Sequence, residues 1–102
     1  METALQEHPE INVVASINDA GAYGAMQALE SAGLTADDAI VVGIDAEPQA
    51  LEHINAGTMY RGTVDTAPAE TGRMTVKAAI KLLAGATLPQ NVRVPVNLIT
   101  AE

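Results

Sequence analysis

Short polar side chains recur in this sequence directly after apolar runs: Asn18-Asp19, Asp45, and Asp65-Thr66. A carboxylate can only accept hydrogen bonds, whereas the amide of Asn both donates and accepts. Together they suit a neutral, hydroxyl-rich ligand, because every hydroxyl needs both kinds of partner. A structural role competes with this reading, most directly at Asn18 and Asp45. Asn, Asp and Thr are favoured helix N-caps whose side-chain oxygens accept otherwise unpaired backbone N–H groups. Asp19 is read as capping or bracing the following helix rather than touching ligand.

Other chemistries find little footing. The chain has no cysteine, so disulfides, thiolate zinc sites and cysteine nucleophiles are excluded. His8 and His53 lack metal-ligand spacing and are assigned to the surface. Gly21 and Gly24 do not frame the G-x-G-x-x-G of a dinucleotide site. Ser16 and Thr66 have no histidine placed to activate them, and Lys77 and Lys81 read as a solvated face. No catalytic set, metal site or cofactor is expected. The formal net charge of −8 repels phosphate backbones and anionic lipids, which argues against nucleic-acid or membrane-surface binding. No run has the length of a membrane span. Met1 is followed by Glu-Thr-Ala-Leu, with neither the basic region nor the apolar core of a signal peptide.

Positioning those polar residues falls to alternating elements in 102 residues, one domain's worth, of which 48% are hydrophobic. Thr3–Glu7 reads as a helix end closed by His8-Pro9. The β-branched run Ile11–Ile17 predicts a strand buried on both faces. Ala20–Ala32 turns helical, with Ala22, Ala25, Met26 and Leu29 on one stripe and Gly33 as its stop. Ala39–Ile44 predicts a second buried strand, in which Gly43 permits close approach of a neighbour. Pro48 opens a helix facing inward through Leu51 and Ile54, and Gly57 ends it. Tyr60–Val64 is a third strand. Ala67–Leu83 is the longest helix, with the stripe Gly72, Val76, Ala79, Ile80 and Leu83, closed by Gly85. A last short strand covers Val94–Ile99. Strands alternating with helices specify an α/β fold: a parallel sheet covered by helices, three-layer α/β/α and flavodoxin-like. Ligands of such sheets lie outside the carboxyl ends of the strands, which is where Asn18, Asp45 and Asp65 fall.

The unit Ile11–Asp19 followed by Ala25-Met26-Gln27-Ala28-Leu29 resembles the strand-Asn-Asp-helix unit of ribose-type periplasmic binding proteins. Val41-Val42-Gly43-Ile44-Asp45-Ala46-Glu47-Pro48 is similar to that family's V-V-G-(F/I)-D-x-x-P element. Ile54–Thr58 through Thr63-Val64-Asp65, and Val94–Thr100, resemble its following glycine turn and its terminal strand. The resemblance covers nearly the whole chain. It implies a sugar-binding solute receptor component of an ABC transporter, acting outside the cytoplasm, and no enzyme. Asn18 and Asp45 would hydrogen-bond sugar hydroxyls, joined by Asp65, where ribose binders typically carry Gln.

The family architecture implies a partial lobe of a two-lobe protein. Residues 1–64 would belong to the C-terminal lobe. Residues 65–91, with helix 67–83, would cross to a missing N-terminal lobe, and 92–102 would return. The implied partners are a monosaccharide or similar polyol, a membrane permease, and the missing lobe. The helix stripe Val76, Ala79, Ile80 and Leu83, deprived of its sheet, is expected to fold back or dock on another copy as a homodimer or swapped oligomer. Tyr23 and Tyr60 are the only aromatics, so a ring to stack on a sugar must come mainly from elsewhere. A lactose-repressor-type regulator is a second reading. The link Ala56-Gly57-Thr58-Met59 follows the transport branch instead. Asp19, Asp45 and Thr66 also imitate a phosphoacceptor receiver domain, which would need a lysine at a strand exit, and none stands there.

Overall fold

The structure is a computed structural model and describes residues 1–101. Among the described residues eight elements alternate: α1 Glu2–Glu7, β1 Val13–Ala15, α2 Asp19–Ser31, β2 Ile40–Val42, α3 Pro48–Asn55, β3 Tyr60–Asp65, α4 Pro68–Leu83 and β4 Asn97–Thr100. The chain divides into two compact units, Met1–Asp65 with the residues from Leu98 on, and Thr66–Asn97.

In the first unit the strands form one sheet in the order β1-β2-β3-β4. The pairs β1–β2 and β2–β3 are parallel, with Val14 opposite Val41 and Val41 opposite Tyr60. The connections that return each strand to the same end are α2 and α3, so the fold is α/β as the alternation requires. Gly33 and Gly57 end these helices at φ +87° and +69°, a backbone region that costs glycine nothing and β-carbon residues a strain. Pro48 occupies the first turn of α3, where its missing N–H would be unpaired in any case.

The core lies on one face of this sheet. Val41 and Tyr60 are fully buried there beneath Ala22, Met26 and Leu29 of α2 and Ala50 and Ile54 of α3. Full burial of one large apolar side chain such as Leu29 contributes about 1.5–3 kcal/mol, so this face holds the unit together. The other face is different. Val13 and Ile40, opposite one another in the ladder, are 62% and 44% exposed. The expectation of strands buried on both faces is therefore corrected for β1 and β2: α2 and α3 pack on one face of the sheet, and Val13 and Ile40 project exposed from the other.

The register shifts between β2 and β3. Val41 pairs with Tyr60, yet Val42 pairs with Gly62, so β3 holds an extra residue at Arg61. The amide of Val41 donates to Met59 O and that of Gly43 to Gly62 O, a step of two residues against three. Such a β-bulge reverses the alternation of side chains beyond it. Tyr60 and Thr63, three apart, thus point to the same face. Gly62 lies against β4, where an added β-carbon would meet Ile99 O at 3.2 Å.

In the second unit, α4 begins with Pro68 in its first turn after Ala67, whose φ is +50°. Glu70 pairs with Arg73 at 2.7 Å, and Lys81 lies in the last turn, where a cation complements the helix dipole. Gly85 follows at φ +82°. No described residue of α4 is buried. Val76, Ile80 and Leu83 of the anticipated stripe are exposed. Met74, Ala78 and Leu82 line an apolar groove of about 410 Å³ together with Val92 and Val94 of the segment that follows the helix.

Candidate functional site: the rim at the strand ends

Asn18, Asp45 and Asp65 emerge along one rim of the sheet. Beyond the regular strands, the ladder continues: Ser16 N donates to Val42 O and Asp19 N to Ile44 O, while Asp45 N donates to Val64 O at 2.9 Å. These bonds align the segments 16–19, 42–45 and 62–65 side by side. Asp45 is exposed, and Asn18 and Asp65 are half-buried.

The three residues are not equivalent. Asn18 is the N-cap of α2, and its Oδ1 accepts from Gly21 N at 2.8 Å. With the oxygen engaged, the side-chain NH₂ is what Asn18 offers as a donor. Asp45 caps nothing: the N-cap of α3 is Glu47, and that of α4 is Ala67. The capping role that competed with ligand contact therefore holds at Asn18 and fails at Asp45. Asp45 stands at φ +119° and Ala46 at φ +56°. Two successive non-glycine residues in this region cost on the order of 1–3 kcal/mol each and persist only where their surroundings over-determine them.

Those surroundings centre on Asp19. Its carboxylate is completely buried. Oδ1 accepts from the Tyr60 hydroxyl at 2.6 Å and the Thr63 hydroxyl at 2.7 Å, and Oδ2 accepts from Glu47 N at 2.8 Å. Thr63 Oγ1 in turn accepts from Ala46 N at 3.1 Å. The bulge at Arg61 makes this convergence possible, since a regular strand would send Tyr60 and Thr63 to opposite faces. Gly43 makes room for it: a β-carbon there would lie 2.5 Å from Asp19 Oδ1 and 3.2 Å from Asp19 Cα. The close approach anticipated at Gly43 is that of Asp19 and the Tyr60 hydroxyl. Asp19 also sits in the first turn of α2, where the helix dipole favours a negative charge.

A second polar contact secures the same loop. The Tyr23 hydroxyl donates to Glu47 Oε2 at 3.1 Å. Burial pushes the Tyr23 phenol up to about 12, reinforced by that hydrogen bond and by the negative charges of Glu47 and Asp19. Burial, then the bond to Asp19 and its charge, also holds the Tyr60 phenol well above its ordinary value. The rings of Tyr23, His53 and Tyr60 pack together with centroids 5.8–6.3 Å apart. This places His53 against the tyrosines and not in a ligand set. Among the described residues no group of three or more His, Asp or Glu is arranged to hold a metal ion. No described helix is long and apolar enough to cross a membrane.

Sequence reasoning read Asp19 as a brace, and the structure extends that brace to the Asp45 loop. Its partners Tyr60 and Thr63 went unrecognised. The one available signal was Gly43, a glycine inside a strand with a buried neighbour to accommodate.

Residues 1–87 match the family model described as "Periplasmic binding protein domain". The ribose import binding protein of Bacillus subtilis (strain 168) is 34% identical over 102 residues, covering all of this chain and 32% of that protein. Among solved structures, the Caulobacter myo-inositol binding protein bound to myo-inositol superposes with a TM-score of 0.84 at 34% identity, over 98% of this chain and 34% of that one. An ABC transporter periplasmic solute binding protein from Actinobacillus succinogenes 130z with bound D-allose gives a TM-score of 0.84 at 29% identity, with the same coverage. The chain thus spans about a third of the length of the relatives it matches.

Proposed function

Because the chain belongs to the periplasmic binding protein domain family, we propose that it supplies one wall of a sugar or polyol cleft in an extracytoplasmic receptor serving an ABC transporter. The observation that carries this reading is the shared rim of Asn18, Asp45 and Asp65, aligned by the bonds Asp19 N to Ile44 O and Asp45 N to Val64 O. In this role Asn18 donates its free NH₂ to a ligand hydroxyl, and Asp45 and Asp65 accept from others. A carboxylate at position 65, where the ribose-type pattern has Gln, selects a ligand that presents hydroxyl hydrogens rather than acceptors on that side. The protein acts by binding and release, without catalysis.

Relatives point to the ligand class. Their names and bound molecules include ribose, D-allose and myo-inositol, all small polyhydroxylated molecules. Residues 1–64 and the return from 92 belong on this reading to one lobe. The segment 65–91 would cross to the other, which would also supply the stacking ring. Tyr60 is not free to stack on ligand, being buried with its hydroxyl engaged by Asp19.

Titration of the isotopically labelled chain with ribose, allose and myo-inositol, followed by amide NMR shifts, tests the proposal. Half a cleft binds weakly, on the order of millimolar or worse, because the opposing contacts are absent and the association cost is unchanged. Shifts are expected at residues 18, 45 and 65 and are lost in Asp45→Ala. Shifts centred elsewhere, or none at any sugar concentration, would overturn the site. Micromolar affinity by the chain alone would overturn its being only one wall.

A further inference from the structure

We propose that Asp19 and Thr63 are positioning residues for ligand recognition, holding the Asp45 loop in its left-handed conformation before any ligand arrives. The proposal rests on the reading of Asp45 as a ligand contact, but its structural half stands without it.

Three consecutive amides carry the argument. Asp45 N donates to Val64 O, Ala46 N to Thr63 Oγ1, and Glu47 N to Asp19 Oδ2. Each acceptor comes from a different part of the fold: the β3 backbone, a β3 side chain, and the first residue of α2. A turn with φ of +119° and +56° at Asp45 and Ala46 would relax to negative φ if these amides were released. Neither residue is glycine, so the β-carbon of each makes this backbone costly. Thr63 is central, because its single hydroxyl gives its hydrogen to Asp19 and receives that of Ala46. The hydroxyl is thereby oriented: with its proton committed to the carboxylate, its lone pairs face the loop.

Preorganisation of this kind raises affinity without touching ligand, because the ordering of the loop is complete before binding. Asp19 is wholly enclosed and already accepts three hydrogen bonds, so contact with ligand is not its role. Its effect reaches ligand through Asp45. An amide at position 19 would turn an NH₂ towards groups that themselves donate, so Asp19→Asn changes almost no volume yet loses at least one of these bonds.

The test uses the labelled full chain and three variants. A residue with positive φ gives a strong intraresidue HN–Hα nuclear Overhauser effect, and the wild type should show it at Asp45 and Ala46. Asp19→Asn and Thr63→Val should lose it while the remaining amide spectrum stays dispersed; Thr63→Ser, which keeps the hydroxyl, should retain it. In the weak-binding regime, the ribose-induced shift at Asp45 should fall about tenfold in the first two variants and be restored in Thr63→Ser. Retention of the Overhauser effect in both Asp19→Asn and Thr63→Val would overturn the positioning role. So would its loss in Thr63→Ser. If Asp19→Asn fails to fold, Thr63→Val decides. If no sugar perturbs the wild type, the binding reading fails, and the Overhauser data still decide the conformational claim.

Discussion

The Tyr60 hydroxyl donates to Asp19 Oδ1 at 2.6 Å, joining residues 41 apart in sequence inside the core. Tyr60→Phe deletes the hydroxyl and keeps the ring, so no cavity forms. The loss of a hydrogen bond to a buried carboxylate should cost about 1.5–3 kcal/mol. Urea unfolding measures it; a change below about 0.5 kcal/mol would mean that Thr63 and Glu47 N satisfy Asp19 without Tyr60.

Gly43→Ala should destabilise for a reason of space. Its added carbon would lie 2.5 Å from Asp19 Oδ1 and 3.2 Å from Asp19 Cα. Displacing backbone and a buried carboxylate costs about 1–3 kcal/mol. Gly24→Ala provides the contrast, because a β-carbon at that position in α2 meets nothing within 4 Å. It should stabilise by about 0.5–1 kcal/mol through helix propensity. Thermal melts of the two variants should move in opposite directions.

Alkaline pH should weaken the fold. Both tyrosines hold their protons more tightly when folded, Tyr23 with a pKa near 12 against an ordinary 10.0. The raised values stabilise the folded state fully below pH 10, and this contribution drains away as pH rises from about 10 through about 12. Ultraviolet absorbance of tyrosinate reports it cleanly, since Tyr23 and Tyr60 are the only aromatics in the chain. The Tyr23→Phe variant should show a shallower loss of stability over that range. Titration of both phenols at their ordinary value in the folded chain would contradict this.

Ile80 on α4 is 60% exposed, and Leu83 is 90% exposed. Ile80→Glu should therefore change stability by less than about 0.5 kcal/mol. The same substitution should reduce self-association in sedimentation, because an exposed stripe of Val76, Ile80 and Leu83 favours apolar contacts between copies. A wild-type chain that sediments as a monomer at all concentrations would rule out that use of the stripe.

Local signals in the sequence were enough to place most elements. The stops at Gly33, Gly57 and Gly85 and the start at Pro48 depend only on backbone geometry, and each appears where expected. Strand ends were less legible. Ile11–Ile17 reads as one apolar run, yet only Val13–Ala15 forms regular strand, with Ile17 87% exposed. Hydrophobic content reports how much cover a strand was selected for, and cannot say whether the covering element lies in the same stretch of chain. The rim was legible because each polar residue directly follows an apolar run in the sequence: Asn18 after Ile17, Asp45 after Ile44 and Asp65 after Val64. The support beneath it was not, because Asp19, Tyr60 and Thr63 meet only through the tertiary fold, and the bulge that aligns them has no local signature.

That single surplus residue at Arg61 fixes the phase of β3. With side chains alternating along a strand, removal of one residue between Tyr60 and Thr63 would turn the threonine away from Asp19 and leave the Ala46 amide without its acceptor. Gains or losses of length that surface turns absorb readily would, between these two residues, uncouple the strand from the loop it steadies. The count of residues between Tyr60 and Thr63 is what this coupling depends on, while the Arg61 side chain is engaged elsewhere, donating to Ala36 O at 2.7 Å.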